Sequence, residues 1–163
     1  SEVFYREGEI AKIESGNYET LAQTDYILIE FSYEIRYKEM YNALNNILQL
    51  GLTPVIAHIE RYNNLDEKKA QELVNMGCLV QINAASILKP KLFGDKHKNY
   101  KKRAKKYLDA ELVHFIASDM HNMTTRRTYM EEAFNIIEKK YGTTYAFELF
   151  SKNQERLLMN KII

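Results

Sequence analysis

The chain has one cysteine, two prolines, six glycines and no tryptophan among its 163 residues. A lone cysteine, Cys78, forms no internal disulfide, so the fold must rest on its core, and the usage fits a reducing compartment. No histidine or basic residue adjoins Cys78 in CLVQI, so it reads as a small buried hydrophobe rather than an activated thiol. No linker, repeat or low-complexity tract interrupts the sequence. No apolar run approaches the roughly 18 residues that span a bilayer. The opening SEVFYREGEI also lacks the basic-then-apolar layout of a secretory signal. Charge of one sign is absent too: 23 Lys+Arg against 22 Asp+Glu leave a net charge of +1, which names no partner. The expectation is one soluble, cytoplasmic domain, with 45% hydrophobic residues to build a core.

What is present is an alternation of short apolar runs and helical patterns. Residues 26–31 (YILIEF), 54–58 (PVIAH), 78–83 (CLVQIN) and 113–118 (VHFIAS) are nearly continuous in apolar residues, as parallel strands covered on both faces are. Helical spacing marks residues 36–50, 66–76, 98–109 and 127–141, with Gly51, Gly77 and Gly142 placed to end three of them. The closing FELFSKNQERLLMNKII reads as one or two short amphipathic helices, and the twelve tyrosines read mostly as core on helix faces. Such an order predicts an α/β fold with a parallel sheet. Folds of this kind gather their chemistry just past the carboxyl ends of the strands.

Polar residues collect where that rule places them. Glu30 ends the first of these runs, His58 the second, and the last leads through Ser118 into Asp119 and His121. An earlier extended piece, VFYREGEI, carries Glu9. Asp119 and His121 share a face if the strand continues through them. Singly, each is a weak signal, because a histidine after an apolar strand is more often structural than a ligand. Jointly they point to metal, since a carboxylate buried in a run as apolar as YILIEF costs several kcal/mol unless paired or bound to a cation. A mixed nitrogen and oxygen set suits Mn²⁺, Fe or Zn²⁺ better than Ca²⁺. Arg61 and Arg126 each follow a candidate ligand by a few residues, and a guanidinium fork matches phosphate oxygens.

The segments IAHIERY, GCLVQINAASIL, KLFG, FIASDMHN with a following arginine, and the closing LF-x-x-N-x-x-RLL-x-N resemble the bacterial manganese-dependent tyrosine phosphatases of the PHP (polymerase and histidinol phosphatase) superfamily. The resemblance covers nearly the whole chain from about Glu9. It implies an α/β fold, a PHP-type distorted βα (TIM-like) barrel. Residues 1–163 would form a single PHP-like domain, the C-terminal portion of the barrel. It also implies a cluster of two or three ions, usually manganese, with Fe or Zn as alternatives. Carried onto this sequence, Glu9, Glu30, His58, Asp119 and His121 fall on metal-ligand positions, and Arg61 and Arg126 on the arginines that hold the substrate phosphate. The implied partner is the phosphotyrosine tail of a bacterial tyrosine autokinase that controls capsule and exopolysaccharide synthesis. Neither nucleic acid binding nor membrane insertion is expected.

Three departures from the family pattern bear on this. Ile59 stands where the family has proline, and Glu7 where it has a glycine before its first glutamate. The family's opening His-x-His is absent, since the four histidines are His58, His97, His114 and His121. A complete barrel takes about 250 residues. The expectation is therefore a barrel incomplete at its N-terminal side, with impaired activity and weak metal binding, its open edge covered by self-association as a homo-oligomer. A cysteine phosphatase is excluded, because a Cys-x5-Arg loop on Cys78 would need arginine where Ala84 stands. Two alternatives stay open: another PHP phosphoesterase acting on histidinol phosphate, nucleotides or DNA ends, and a non-catalytic phosphate-binding remnant. The basic run KPKLFGDKHKNYKKRAKKYL reads as the solvated face of a packed helix before it reads as an anion-binding surface.

Overall fold

Five parallel strands form one sheet in the order of the chain: β1 (Glu2–Phe4), β2 (Tyr26–Glu30), β3 (Thr53–Ile56), β4 (Leu79–Asn83) and β5 (Phe115–Ala117). The computed structural model describes residues 2–90, 94–118 and 129–163. Every strand pairs with its neighbour in sequence, and all pairings are parallel. A doubly wound sheet reverses its strand order at a switch point; the unbroken order here is compatible with part of a barrel wall, and the described strands do not close on one another.

The helices between the strands follow from the spacing of their apolar residues. In α1 (Glu9–Glu14) the only buried residue is Ile13. In α2 (Tyr37–Gln49) the buried residues are Met40, Ala43, Leu44 and Ile47, one face of a helix, and Gly51 follows at φ 81°. In α3 (Glu67–Met76) Asp66 caps the amino end by accepting from Lys69 N–H at 2.9 Å, and Gly77 closes the other end at φ 110°. Residues 91–93 of the basic run lie outside the described residues, and its second half lies in α4 (Lys98–Asp109), which buries Ala104, Tyr107 and Leu108. Several of its lysines pair with acids: Lys101 with Asp95, Lys105 with Asp109 and Lys106 with Glu67. A packed helix with a solvated face is what the structure shows. Beyond it come α5 (Met130–Tyr141), α6 (Thr143–Phe147), a π-helical turn (Glu148–Lys152) and α7 (Asn153–Leu158).

Period-two alternation divides the strand residues between the two faces of the sheet. Ile27, Ile29, Ile56, Val80, Ile82 and Ile116 join the larger core, packed with the helices. Tyr26, Val55, Leu79 and Phe115 join Leu157 of α7 in a smaller cluster on the opposite face. That inner face changes character along the strands. It is apolar toward their amino ends, and toward their carboxyl ends it carries Glu30, Gln81 and Asn83. Tyr26, Tyr62 and Tyr107 are buried, and Tyr5, Tyr18, Tyr37, Tyr141 and Tyr145 pack half-buried against the larger core, so most of the tyrosines do meet the core, although Tyr26 does so from a strand and Tyr62 from a loop.

Candidate metal centre

The ladder between β2 and β3 runs one residue past the strand, where Ala57 N–H donates to Ile29 O at 3.0 Å. At His58 the backbone turns into the left-handed region, φ 33° and ψ 53°, which is sterically unfavourable for any residue with a Cβ. The turn is held from two sides. His58 N–H donates to Gln81 Oε1 on β4 at 2.6 Å, and His58 O accepts from Arg61 N–H at 2.9 Å. The His58 side chain is 3% exposed. Its Nε2 lies 3.2 Å from Glu30 Oε1 and 3.5 Å from Glu2 Oε1. One ligand atom from each of the three residues falls within 4.8 Å of the others, close enough to share one metal ion.

The donor set fits a divalent cation. Glu2 and Glu30 come from adjacent strands on the same face, since Glu2 registers with Leu28, two residues before Glu30. Like charges brought so close repel unless a cation lies between them. Two carboxylates with one imidazole suit Mn²⁺, Fe or Zn²⁺. The other imidazole nitrogen, Nδ1, is buried with no hydrogen-bond partner, so Nε2 is the nitrogen directed at the carboxylates.

Of the residues expected from the sequence, the structure brings Glu30 and His58 together. Glu9 is not with them. It lies in α1, where its carboxylate is 3.0 Å from Lys12 Nζ, and Glu2 takes the third place in the group. The helical spacing of Ile10 and Ile13 marks EIAKIE as a helix rather than a continuing strand, and β1 is only three residues long. Arg61 donates from Nη1 to the Tyr33 hydroxyl at 3.2 Å. Asp119, His121 and Arg126 lie outside the described residues.

Three further residues of IAHIERY fasten the loop that carries Arg61. Ile59 is fully buried in the helix-side core. Glu60 is fully buried as well, and its Oε1 accepts from Ser86 Oγ at 2.7 Å and Asn83 N–H at 3.2 Å. Burial pushes its carboxyl above the usual range, and the Ser86 and Asn83 hydrogen bonds pull the other way. Arg103 of α4 donates from Nε to Glu60 O at 2.6 Å and from Nη2 to Asn63 Oδ1 at 3.3 Å. Tyr62 accepts from Phe31 N–H at 3.0 Å. Cys78 is fully buried, and burial pushes its thiol up to about 12, so it supplies no nucleophile. His114 stands apart from the group and hydrogen-bonds to Val80.

A family model described as capsular polysaccharide synthesis, CpsB/CapC, matches residues 1–159. The tyrosine-protein phosphatase CpsB of Streptococcus pneumoniae is 47% identical over 165 residues, covering all of this chain and 68% of that protein. The tyrosine-protein phosphatase YwqE of Bacillus subtilis is 38% identical over 149 residues, covering 88% of this chain and 55% of that one. Among solved structures, a chain from the crystal structures of YwqE and CpsB, described as unique metal-dependent tyrosine phosphatases, superposes with a TM-score of 0.86 at 30% identity. That match covers all of this chain and 64% of the solved one. Against these relatives the chain thus spans between about half and two thirds of their length.

Proposed function

The chain belongs to the CpsB/CapC family of capsular polysaccharide synthesis proteins, and from that premise we propose that it works as a metal-dependent protein-tyrosine phosphatase. The observation that carries the reading is the convergence of Glu2, which opens β1, with Glu30 and His58 at the carboxyl ends of β2 and β3. Glu2, Glu30 and His58 Nε2 would hold a divalent cation, Mn²⁺ by analogy with the wider PHP group, and Asp119 and His121 would add donors. When bound, the cation supplies Lewis-acid polarisation of a phosphoryl oxygen and a more acidic attacking water. The Arg61 fork binds phosphate oxygens, and Arg126 is assigned the same role. Glu60 and Tyr62, each tied to a different strand exit, keep the Arg61 loop from drifting. The proposed substrate is the phosphotyrosine tail of a tyrosine autokinase governing polysaccharide synthesis, met in the cytoplasm.

Calorimetric titration with Mn²⁺ tests the site directly. Wild type binds manganese, and His58→Ala or Glu30→Gln weakens binding by more than about tenfold, since even losing an outer partner of a ligand costs 10–100-fold. A Glu2→Gln/His58→Ala double variant that binds manganese as tightly as wild type would sink the assignment. The same protein samples, offered a phosphotyrosine peptide beside histidinol phosphate, should turn over the peptide in preference.

A further inference from the structure

Tyr33 lies three residues past the end of β2, in the loop before α2, and is 39% exposed. Its ring stands edge-on to His58, with centroids 6.2 Å apart at 70°, and lies 6.3 Å from the Tyr62 ring. Its hydroxyl accepts from Arg61 Nη1 at 3.2 Å. One exposed side chain thus reaches from the imidazole of the metal-ligating group to the guanidinium assigned to phosphate. A second exposed ring lies on the neighbouring strand β1. Phe4, also 39% exposed, registers with Glu30 on the inner face, with the Arg6 guanidinium 5.1 Å from its centroid. An exposed aromatic ring beside polar ligands offers a face against which a substrate ring can pack.

We propose that Tyr33 is a specificity-determining residue that selects aryl over alkyl phosphates by packing its exposed ring against the aromatic ring of the substrate, with Phe4 as a second wall. The inference rests on the reading of the site as a phosphatase centre. A phosphate held between the Glu2–Glu30–His58 group and Arg61 must send its ester substituent outward, and the side chain spanning those two elements is Tyr33. An aryl group meets that ring at once and excludes water from both faces. A short alkyl group has no flat face to offer and leaves Tyr33 wet. The hydroxyl has a separate task, since the Arg61 hydrogen bond fixes the ring and the guanidinium relative to each other. Ring and hydroxyl can therefore be tested apart: Tyr33→Phe keeps the ring, and Tyr33→Leu removes both at an exposed position where folding is not at stake.

Phenylphosphonate and methylphosphonate, two unhydrolysable ligands that differ only in the ring, give the measurement. In the presence of Mn²⁺, wild type binds the phenyl compound more tightly. The phenyl-to-methyl affinity ratio drops about two- to tenfold in Tyr33→Leu and is kept in Tyr33→Phe. Proton NMR with diamagnetic Zn²⁺ in place of Mn²⁺ adds a signature that a purely structural role would not produce: the phenyl resonances shift upfield on binding to wild type and Tyr33→Phe, and markedly less on binding to Tyr33→Leu. An unchanged ratio in Tyr33→Leu, with wild type binding both ligands, overturns the inference and leaves the phosphatase reading standing. Failure of wild type to bind either ligand overturns both.

Discussion

Tyr62 lends its phenolic oxygen to a strand other than the one it follows. Phe31 N–H, just past β2, donates to it at 3.0 Å in a fully buried setting. The ring packs between Phe31 and His58, with centroids 6.2 and 6.0 Å away. Burial raises the phenol well above its ordinary value, so the hydroxyl stays protonated and neutral. Removing only the oxygen isolates the hydrogen bond from the packing. Tyr62→Phe should cost about 1–3 kcal/mol, because a buried backbone N–H loses its acceptor and no water replaces it. In urea this reads as a lower midpoint at an unchanged slope. A variant as stable as wild type would mean that Phe31 N–H finds another partner. Glu60 does comparable work between β3 and β4, so two neighbours of Arg61 are anchored to different strand exits while Arg61 itself reaches Tyr33 on the rim.

At the scale of elements, β2 through β5 were legible because each is a short run of nearly unbroken apolar residues, the mark of strands buried on both faces. The helices were legible from their three-and-four spacing and closing glycines. At the start of the chain the extended reading of residues 3–10 overlaps β1 (Glu2–Phe4) but runs on into α1, because three strand residues carry too little periodicity to show where the strand ends, and Glu2 escapes notice as a ligand. Glu9 offers a carboxylate in that extended reading, although the Ile10 and Ile13 beside it spell a helix. The left-handed turn at His58 left no trace in the sequence, since it depends on Gln81 of another strand. His114, in turn, shows a histidine serving an element rather than a site. Its Nδ1 accepts from Val80 N–H at 3.1 Å while its own N–H donates to Val80 O at 2.9 Å, fastening the start of β5 to β4. Burial lowers its pKa below the ordinary 6.5, against a smaller backbone hydrogen bond at Leu112 that acts the other way. Above 6.5 both folded and unfolded chains hold it neutral. As pH falls below that value the unfolded chain takes the proton first, and protonation also destroys the acceptor that Val80 needs, so stability drops. Thermal midpoints followed by circular dichroism from about pH 7 to pH 5 should fall further for wild type than for His114→Gln, which retains an acceptor but does not titrate. Parallel curves would assign the acid sensitivity elsewhere.

Across the whole molecule, the two ends of the sheet have different tasks. The segment that closes the chain seals the amino ends of the strands: Asn153 Nδ2 donates to His114 O at 2.9 Å, Tyr26 OH donates to Lys161 O at 2.6 Å, and Asn160 and Asp25 bond reciprocally at 2.8 and 2.7 Å. Leu157 enters the inner cluster between those polar ties, against Tyr26, Val55, Leu79 and Phe115. The closing pattern LF-x-x-N-x-x-RLL-x-N, which looked like a family signature, is thereby explained as architecture: Leu149, Asn153 and Leu157 are its buried positions, and Arg156 bridges Glu148 and Asn153. Because the Glu2–Glu30–His58 group gathers at the carboxyl ends of β2 and β3, away from that seal, stability and ligand binding should separate on mutation. Leu157→Ala deletes a nearly buried side chain whose neighbours are strand residues unable to collapse inward, so it should cost about 2–5 kcal/mol. Manganese affinity, measured well below the unfolding transition, should stay at its wild-type value, because the ligands depend on β1 to β3 and on Gln81 rather than on α7. A parallel loss of both, in protein still folded by circular dichroism, would show that the seal at one end transmits its packing through the sheet to the metal centre at the other.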